Sequence, residues 1–286
     1  MTKTTPARWA QHWETIEGVV YMTETGDAIH SGRQQVGYSE TRDGNGKLLT
    51  GDISETRTSM NSVELNGSDE SNFIWLEKDA ESTVYAGGGN DTVKGSMVND
   101  VLHGGDGNDY VRGGRGDDVI HGDAGNDRIT GGKGNDTLYS GDGHDFLFGG
   151  KGTDIMFGGS GDDIFYLKDA LDPSTVDFKT IIDTADKIMD FQKGNDKIRV
   201  GAKADVIYQN VTVGDDDVYT LILGLKEDGG SHVRGIIDGN LDLERSDFKN
   251  ARSVTEMEAV SIEAWPDDAN DLNNLDFVPV GDAHIM

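Results

Sequence analysis

Apolar residues return every nine positions through the middle of the chain, at Val93, Leu102, Val111, Ile120, Ile129, Leu138, Leu147, Met156 and Phe165. An aspartate precedes each by two places, at Asp91, Asp100, Asp109, Asp118, Asp127, Asp136, Asp145, Asp154 and Asp163. Residues 86–166 therefore divide without a gap into nine units that approximate Gly-Gly-x-Gly-x-Asp-x-apolar-x. The register never slips.

The physical reading of one unit follows from its glycines. At positions one, two and four they admit left-handed conformations, so the first six residues can turn tightly. The last three predict a short strand, with position eight facing one way and positions seven and nine the other. One apolar residue in nine buries too little to hold a unit alone, so the units must stack. A flexible Gly/Asp-rich linker is the plainer alternative, but linkers do not keep phase. Each turn is rich in carbonyls and carries one carboxylate, which are the hard oxygens that calcium takes about six to eight at a time. Calcium thus reads as part of the fold. One unit departs from the pattern, with Ser96, Met97 and Val98 where glycines belong. A side chain at such a turn costs on the order of 1 kcal/mol, so the ion beside Asp100 is expected to be weak or missing.

The array resembles the RTX (repeats-in-toxin) family of calcium-binding nonapeptides. That resemblance implies an all-β fold, a right-handed parallel β-roll with two nonapeptides per coil and ions between turns stacked on the same edge. Asp91, Asp109, Asp127, Asp145 and Asp163 would line one edge, and Asp100, Asp118, Asp136 and Asp154 the other. Family members also use backbone carbonyls of positions one to four. Here those fall at Gly104, Gly105, Asp106 and Gly107 in the third unit and at Gly113, Gly114, Arg115 and Gly116 in the fourth. The next units supply Gly122, Ala124 and Gly125, then Gly131, Gly132, Lys133 and Gly134. The last three supply Gly141, Asp142 and Gly143, then Gly149, Gly150, Lys151 and Gly152, then Gly158, Gly159 and Gly161. The gaps between stacked turns would hold about seven ions.

The flanks are less regular. Trp9, Trp13 and Ile16 are spaced for a short helix within residues 1–17, while Gly18 to Asn66 looks β-like, so residues 1–66 read as a small N-terminal region of unknown role. Residues 67–85 hold strand-like Phe73-Ile74-Trp75 and Thr83-Val84-Tyr85 and are expected to form a degenerate coil capping the roll. Outward positions turn apolar late in the array, at Phe146, Phe148, Ile155, Phe157, Ile164 and Tyr166, and should be covered. Residues 167–250 are the expected cover, a mixed-β cap with strands at Val218–Leu223 and Val233–Ile237. Within it, Asp186 to Ile198 resembles the flank of serralysin-type RTX proteins. Residues 251–286 carry eight acidic residues and one Arg252, and beside such repeats look like an uncleaved signal for the type I secretion apparatus.

Composition then narrows the function. The chain has 53 acidic against 25 basic residues and a formal charge of −28, which argues against nucleic acid or an anionic membrane as a partner. Self-repulsion opposes compaction until cations arrive. With no cysteine, calcium takes the stapling role of disulfides. No apolar run approaches membrane-spanning length, and no cleavable signal peptide follows Met1. The chain has neither a His-Glu-x-x-His motif nor a Gly-x-Ser-x-Gly elbow. His103 and His121, eighteen residues apart, should stack on one outer face, where they would either hold zinc, respond to pH or simply meet solvent. The expectation is a secreted, extracellular calcium-binding protein without a catalytic centre, which binds an unknown extracellular ligand in an adhesion or matrix role. The rivals are a polymer- or carbohydrate-acting enzyme with an unfamiliar site in residues 1–66, and a membrane-active effector.

Overall fold

The computed structural model describes residues 14–16, 19–21, 28–31, 34–38, 55–58, 62–77, 81–168, 178–201, 205–213, 217–225 and 231–262. Five short strands come first: β1 (Glu14–Ile16), β2 (Val19–Tyr21), β3 (Ala28–Ser31), β4 (Gln34–Tyr38) and β5 (Glu55–Thr58). The expected N-terminal helix is not what Ile16 joins. It pairs with Val19 in the antiparallel β1–β2 pair, where β-branched Thr15, Ile16, Val19 and Val20 favour strand. Trp9 and Trp13 lie outside the described residues.

The roll is wound from β6 (Ser62–Ser68), β7 (Phe73–Glu77), β8 (Glu81–Gly88), β9 (Thr92–Lys94), β10 (Asp100–Asp106) and β11 (Tyr110–Arg115). It continues through β12 (Val119–Ala124), β13 (Arg128–Lys133), β14 (Thr137–Gly143), β15 (Phe146–Lys151), β16 (Ile155–Gly161) and β17 (Ile164–Leu167). Alternate strands fall into alternate walls, so even and odd strands from β6 onward form two parallel ladders that face each other. Except for β9, the strands are longer than the three residues expected. β11 runs from position seven into position three of the next unit, and Gly114 and Arg115 keep register with Gly132 and Lys133.

Between the walls lies one apolar column. All nine position-eight residues, from Val93 to Phe165, are fully buried. The same column takes in Leu65, Ile74 and Val84 before the array and Ile188 and Ile198 after it. The parallel ladders extend equally far, from β6 and β7 at one end to β18 (Lys187–Ile188) and β19 (Lys197–Val200) at the other.

A mixed sheet closes the far end. Helix α1 (Phe178–Thr184) precedes β18, and β20 (Asp205–Val213), β21 (Asp217–Leu225), β22 (Ser231–Asp238) and β23 (Ser253–Ile262) follow β19. β20, β21 and β22 pair antiparallel, and β22 joins β18 in parallel. One face of this sheet sends Val206, Tyr208, Ile222 and Ile237 into the roll core. The other packs Ile207, Leu221, Leu223 and Ile236 on Ile181 and Ile182 of α1. The late outward aromatics are half-buried, and cations partly from this flank lie over them: Arg199 over Phe146 and Tyr166, Lys168 over Phe148. β23 pairs in parallel with β20; residues 263–286 of the expected secretion signal lie outside the described residues.

Candidate metal centre

The turns separate the three glycine positions by purpose. Positions two and four adopt positive φ, as Gly114 (122°) and Gly116 (104°) do. Position one stays out of that region and is glycine for a different reason. A Cβ on Gly104 would run into Asp109 Oδ2 and the Gly122 carbonyl of the next coil. Gly113 and Gly131 stand in the same relation to Asp118 and Asp136, so carboxylate and carbonyl oxygens from two coils converge beside each of these glycines. Ser140 is an exception, and its Oγ donates to the Gly158 carbonyl at 2.7 Å.

The position-six aspartates form two columns, divided as the eighteen-residue coil requires. In one, the backbone N–H of Asp91, Asp109, Asp127 and Asp145 donates to Oδ1 of the aspartate one coil later, at 2.7–2.9 Å. In the other, Asp100, Asp118 and Asp136 do the same toward Asp118, Asp136 and Asp154, each at 2.9 Å. Every one of these carboxylates is buried. Their second oxygens are left over: Oδ2 of Asp91, Asp109, Asp118, Asp127, Asp136, Asp145 and Asp163 is buried without a hydrogen-bond donor.

Burial dominates the electrostatics. It pushes Asp118 up to about 8, Asp91, Asp127, Asp136 and Asp163 to about 7, and Asp109 to about 6, against the pull of the donated backbone N–H. Neighbouring aspartates in the column raise several of them further. At neutral pH a buried carboxylate with an orphan oxygen requires either a proton or a cation. The donors that converge here are carboxylates and carbonyls, an oxygen-only set that fits calcium and not a softer metal. Asp91 to Asp163 and the position-one carbonyls beside them are the groups that would hold it, and the ion supplies charge neutralisation and a cross-link between coils.

Asp100 differs from the rest. Neither Ser96 nor Val98 takes up the positive φ of the equivalent glycines. The altered turn aims the Ser96 N–H at Asp100 Oδ2, 2.7 Å away, while the Ser96 hydroxyl accepts from Val98 N–H at 3.3 Å. Burial still pushes Asp100 up to about 6, against the pull of the Ser96 and Ser82 N–H groups. The oxygen that its neighbours leave for an ion is here satisfied by the chain.

Three parts of the site escaped sequence reasoning. Both columns run past the nonapeptides, since Asp186 and Asp196 accept from the N–H of Asp154 and Asp163 at 3.1 and 3.0 Å. Asp190 accepts from Gly158 and Gly159, both at 2.8 Å. Position five carries a second ladder of opposite sense, in which Asn90, Asn108 and Asn126 accept from the N–H one coil later at 2.7–2.8 Å. The recurrence of Asn at position five was the available signal; Asp186 and Asp196 each stand two places before an apolar residue, Ile188 and Ile198, as in a repeat unit, but the spacing of nine has been lost by then.

A family model for the RTX calcium-binding nonapeptide repeat matches in four copies, at residues 81–102, 94–129, 103–138 and 130–165. Residues 81–165 are RTX calcium-binding repeats. Among solved structures, the chain is similar to the AlgE6R3 subunit of the Azotobacter vinelandii mannuronan C5-epimerase, solved in solution. The two are 25% identical, the match covers 61% of this chain and 92% of that one, and the TM-score is 0.35. No curated protein matches the chain.

The carboxylate shifts set the sign of the pH response of the RTX roll. In chelator, the folded pKa values of about 6 to 8 lie above the ordinary value near 3.9. Their contribution to stability is therefore fully present below about pH 4 and lost as pH rises through 6 to 8. Circular dichroism in chelator should show β structure at pH 5 that fades by pH 8 and returns on adding calcium at pH 8. A metal-free chain equally ordered at both pH values would contradict the assignment. At the irregular turn, Ser96→Gly combined with Val98→Gly should free Asp100 Oδ2 and raise the calcium stoichiometry by about one ion, as read by calorimetry. An unchanged stoichiometry would show that the Ser96 cap does not block a site.

Proposed function

We propose that this chain is a secreted, calcium-folded binding protein whose RTX roll presents one face to an acidic polymer outside the cell. The orphan Oδ2 atoms support the calcium-dependent fold, with about seven ions filling the columns. Extracellular calcium modules bind at about 10⁻⁴–10⁻³ M, so the roll stays unfolded where calcium is scarce and orders after export. The acidic C-terminal tail supports type I secretion as the route. Among the described residues, no helix is long and apolar enough to cross a membrane.

A groove of about 640 Å³ on the outer face of the odd-strand wall supports the binding role. Its lining includes Lys94, Arg112, Arg115, Lys133, Lys151 and Lys168, together with Trp75 and Phe148. Arg115, Lys133 and Lys151 are direct ladder partners in successive strands, so like charges stand one strand spacing apart, about 4.8 Å. None of these six forms an ion pair with a described residue. Aligned like charges at this spacing repel one another until an anion lies along them. A linear polymer with one carboxylate or sulfate per sugar matches that spacing, and the flat rings of Trp75 and Phe148 suit the faces of sugars. Net charge alone, which argued against anionic partners, averages this stripe away.

With the protein saturated in calcium, a surface coated with dextran sulfate or polygalacturonate should retain it, and retention should weaken with salt. Lys133→Glu with Lys151→Glu should weaken binding by at least about tenfold, since each reversal turns an attraction into a repulsion, while the calcium-induced dichroism stays as in the parent. Equal retention of the variant would remove the groove from this reading. For the export route, removing residues 263–286 should leave the chain inside the producing cell; full export of the truncated chain would overturn the signal.

A further inference from the structure

We infer that His103, His121 and Asp123 form a transition-metal site on the outer face of the even-strand wall, separate from the calcium columns. His103 on β10 and His121 on β12 are direct partners in the parallel ladder. Both occupy position nine and point outward, and their rings stack at 4.4 Å with 3° between planes. Asp123 stands two residues beyond His121 on the same strand. Its Oδ2 lies 3.4 Å from His103 Nδ1, and one ligand atom from each of the three residues falls within 4.8 Å of the others.

Two further features set this cluster apart from a chance surface pairing. Asp123 is the one non-glycine among the described residues at positive φ, 74°. Its ladder partners in the adjacent coils are Gly105 and Gly141, so the chain bears a strain on the order of 1 kcal/mol that glycine would remove. Local strain of this kind persists where a side chain is needed. The imidazoles are also held in place. Tyr85 stacks on His103 at 4.7 Å, and Tyr139 on His121 at 4.9 Å, so aromatic rings bracket the pair on both sides.

The donor set is two imidazole nitrogens and one carboxylate oxygen. Such a set suits zinc or its neighbours and not calcium, which takes oxygens. The side chains of His103 and Asp123 are 24% and 41% exposed, open enough for an ion to enter and for water to complete a tetrahedron. Binding requires the two rings to tilt out of their parallel stack so that one nitrogen of each converges at about 2.0–2.1 Å on a single ion.

The ring stack and the His103–Asp123 contact would also exist with no metal, and two substitutions separate the readings without harming the fold. Asp123→Gly restores the residue found in adjacent coils and relieves the turn. His121→Tyr keeps a ring between His103 and Tyr139. The full chain, saturated with calcium so that the columns are filled, is titrated with zinc by calorimetry and with cobalt by absorption spectroscopy. The parent should bind one equivalent and give the intense visible bands of tetrahedral cobalt. Each variant should lose those bands and bind zinc at least about tenfold more weakly, with its calcium-induced dichroism unchanged. Zinc affinity equal in parent and variants, or no tetrahedral cobalt spectrum in the parent, would overturn the site and leave the cluster as a stacking device.

Discussion

A carboxylate that can satisfy only one of its oxygens governs this structure. Seven of the nine ladder aspartates, all but Asp100 and Asp154, spend Oδ1 on a backbone N–H of the preceding coil and are buried with Oδ2 facing the turn. The first contact fixes the stacking of coils; the second leaves a charge that the roll cannot carry by itself. Hydrophobic burial does not resolve the conflict, because one residue in nine is all that the core receives from each unit. A cation between turns removes the penalty and joins two coils at once. Ion binding and coil stacking are in this sense one event, which is why calcium belongs to the fold and not to its surface.

That coupling sets the direction of the chain's behaviour. Stability from raised carboxylate pKa values is a low-pH stability; at neutral pH the same carboxylates ionise and would need a cation to stay buried. A −28 chain without cations repels itself. The C-terminal sheet contributes differently. Its core residues Tyr208, Ile222 and Ile237 continue the apolar column, so the last coil is closed by packing where the ion ladder runs out, and Asp186 and Asp196 supply the final rungs.

The sequence made the array fully legible, because the requirements at positions six and eight are local and repeat without exception. It was less informative where one residue type serves two ends. Glycine at position one looks the same as glycine at position two, yet only the latter needs positive φ; the former needs room for Asp Oδ2. Short strands were expected because three residues separate the Asp from the next turn, but the ladder carries on through the glycines as far as Arg115 and Lys133. Asp186 and Asp196 keep the Asp-x-apolar pair of a repeat unit but lie outside its interval of nine, so their place in the columns was not read.

Residues at positions one, two, four, six and eight are committed to turning, binding and packing, so whatever distinguishes this roll must be written in positions three, five, seven and nine. Position five is spent on a second hydrogen-bond ladder. Position three carries the aligned Arg115, Lys133 and Lys151, and position nine carries the stacked Tyr85, His103, His121 and Tyr139. A choice made once in the sequence at such a position is a single surface group; made again eighteen residues later it is a row at strand spacing. The repeat thereby converts sparse substitutions into extended arrays, a cationic file on one wall and a ring file on the other. Departures from the consensus at committed positions are then the informative ones. Ser96 caps a carboxylate that would otherwise face an ion, and Asp123 accepts a strained backbone to place a carboxylate beside two imidazoles.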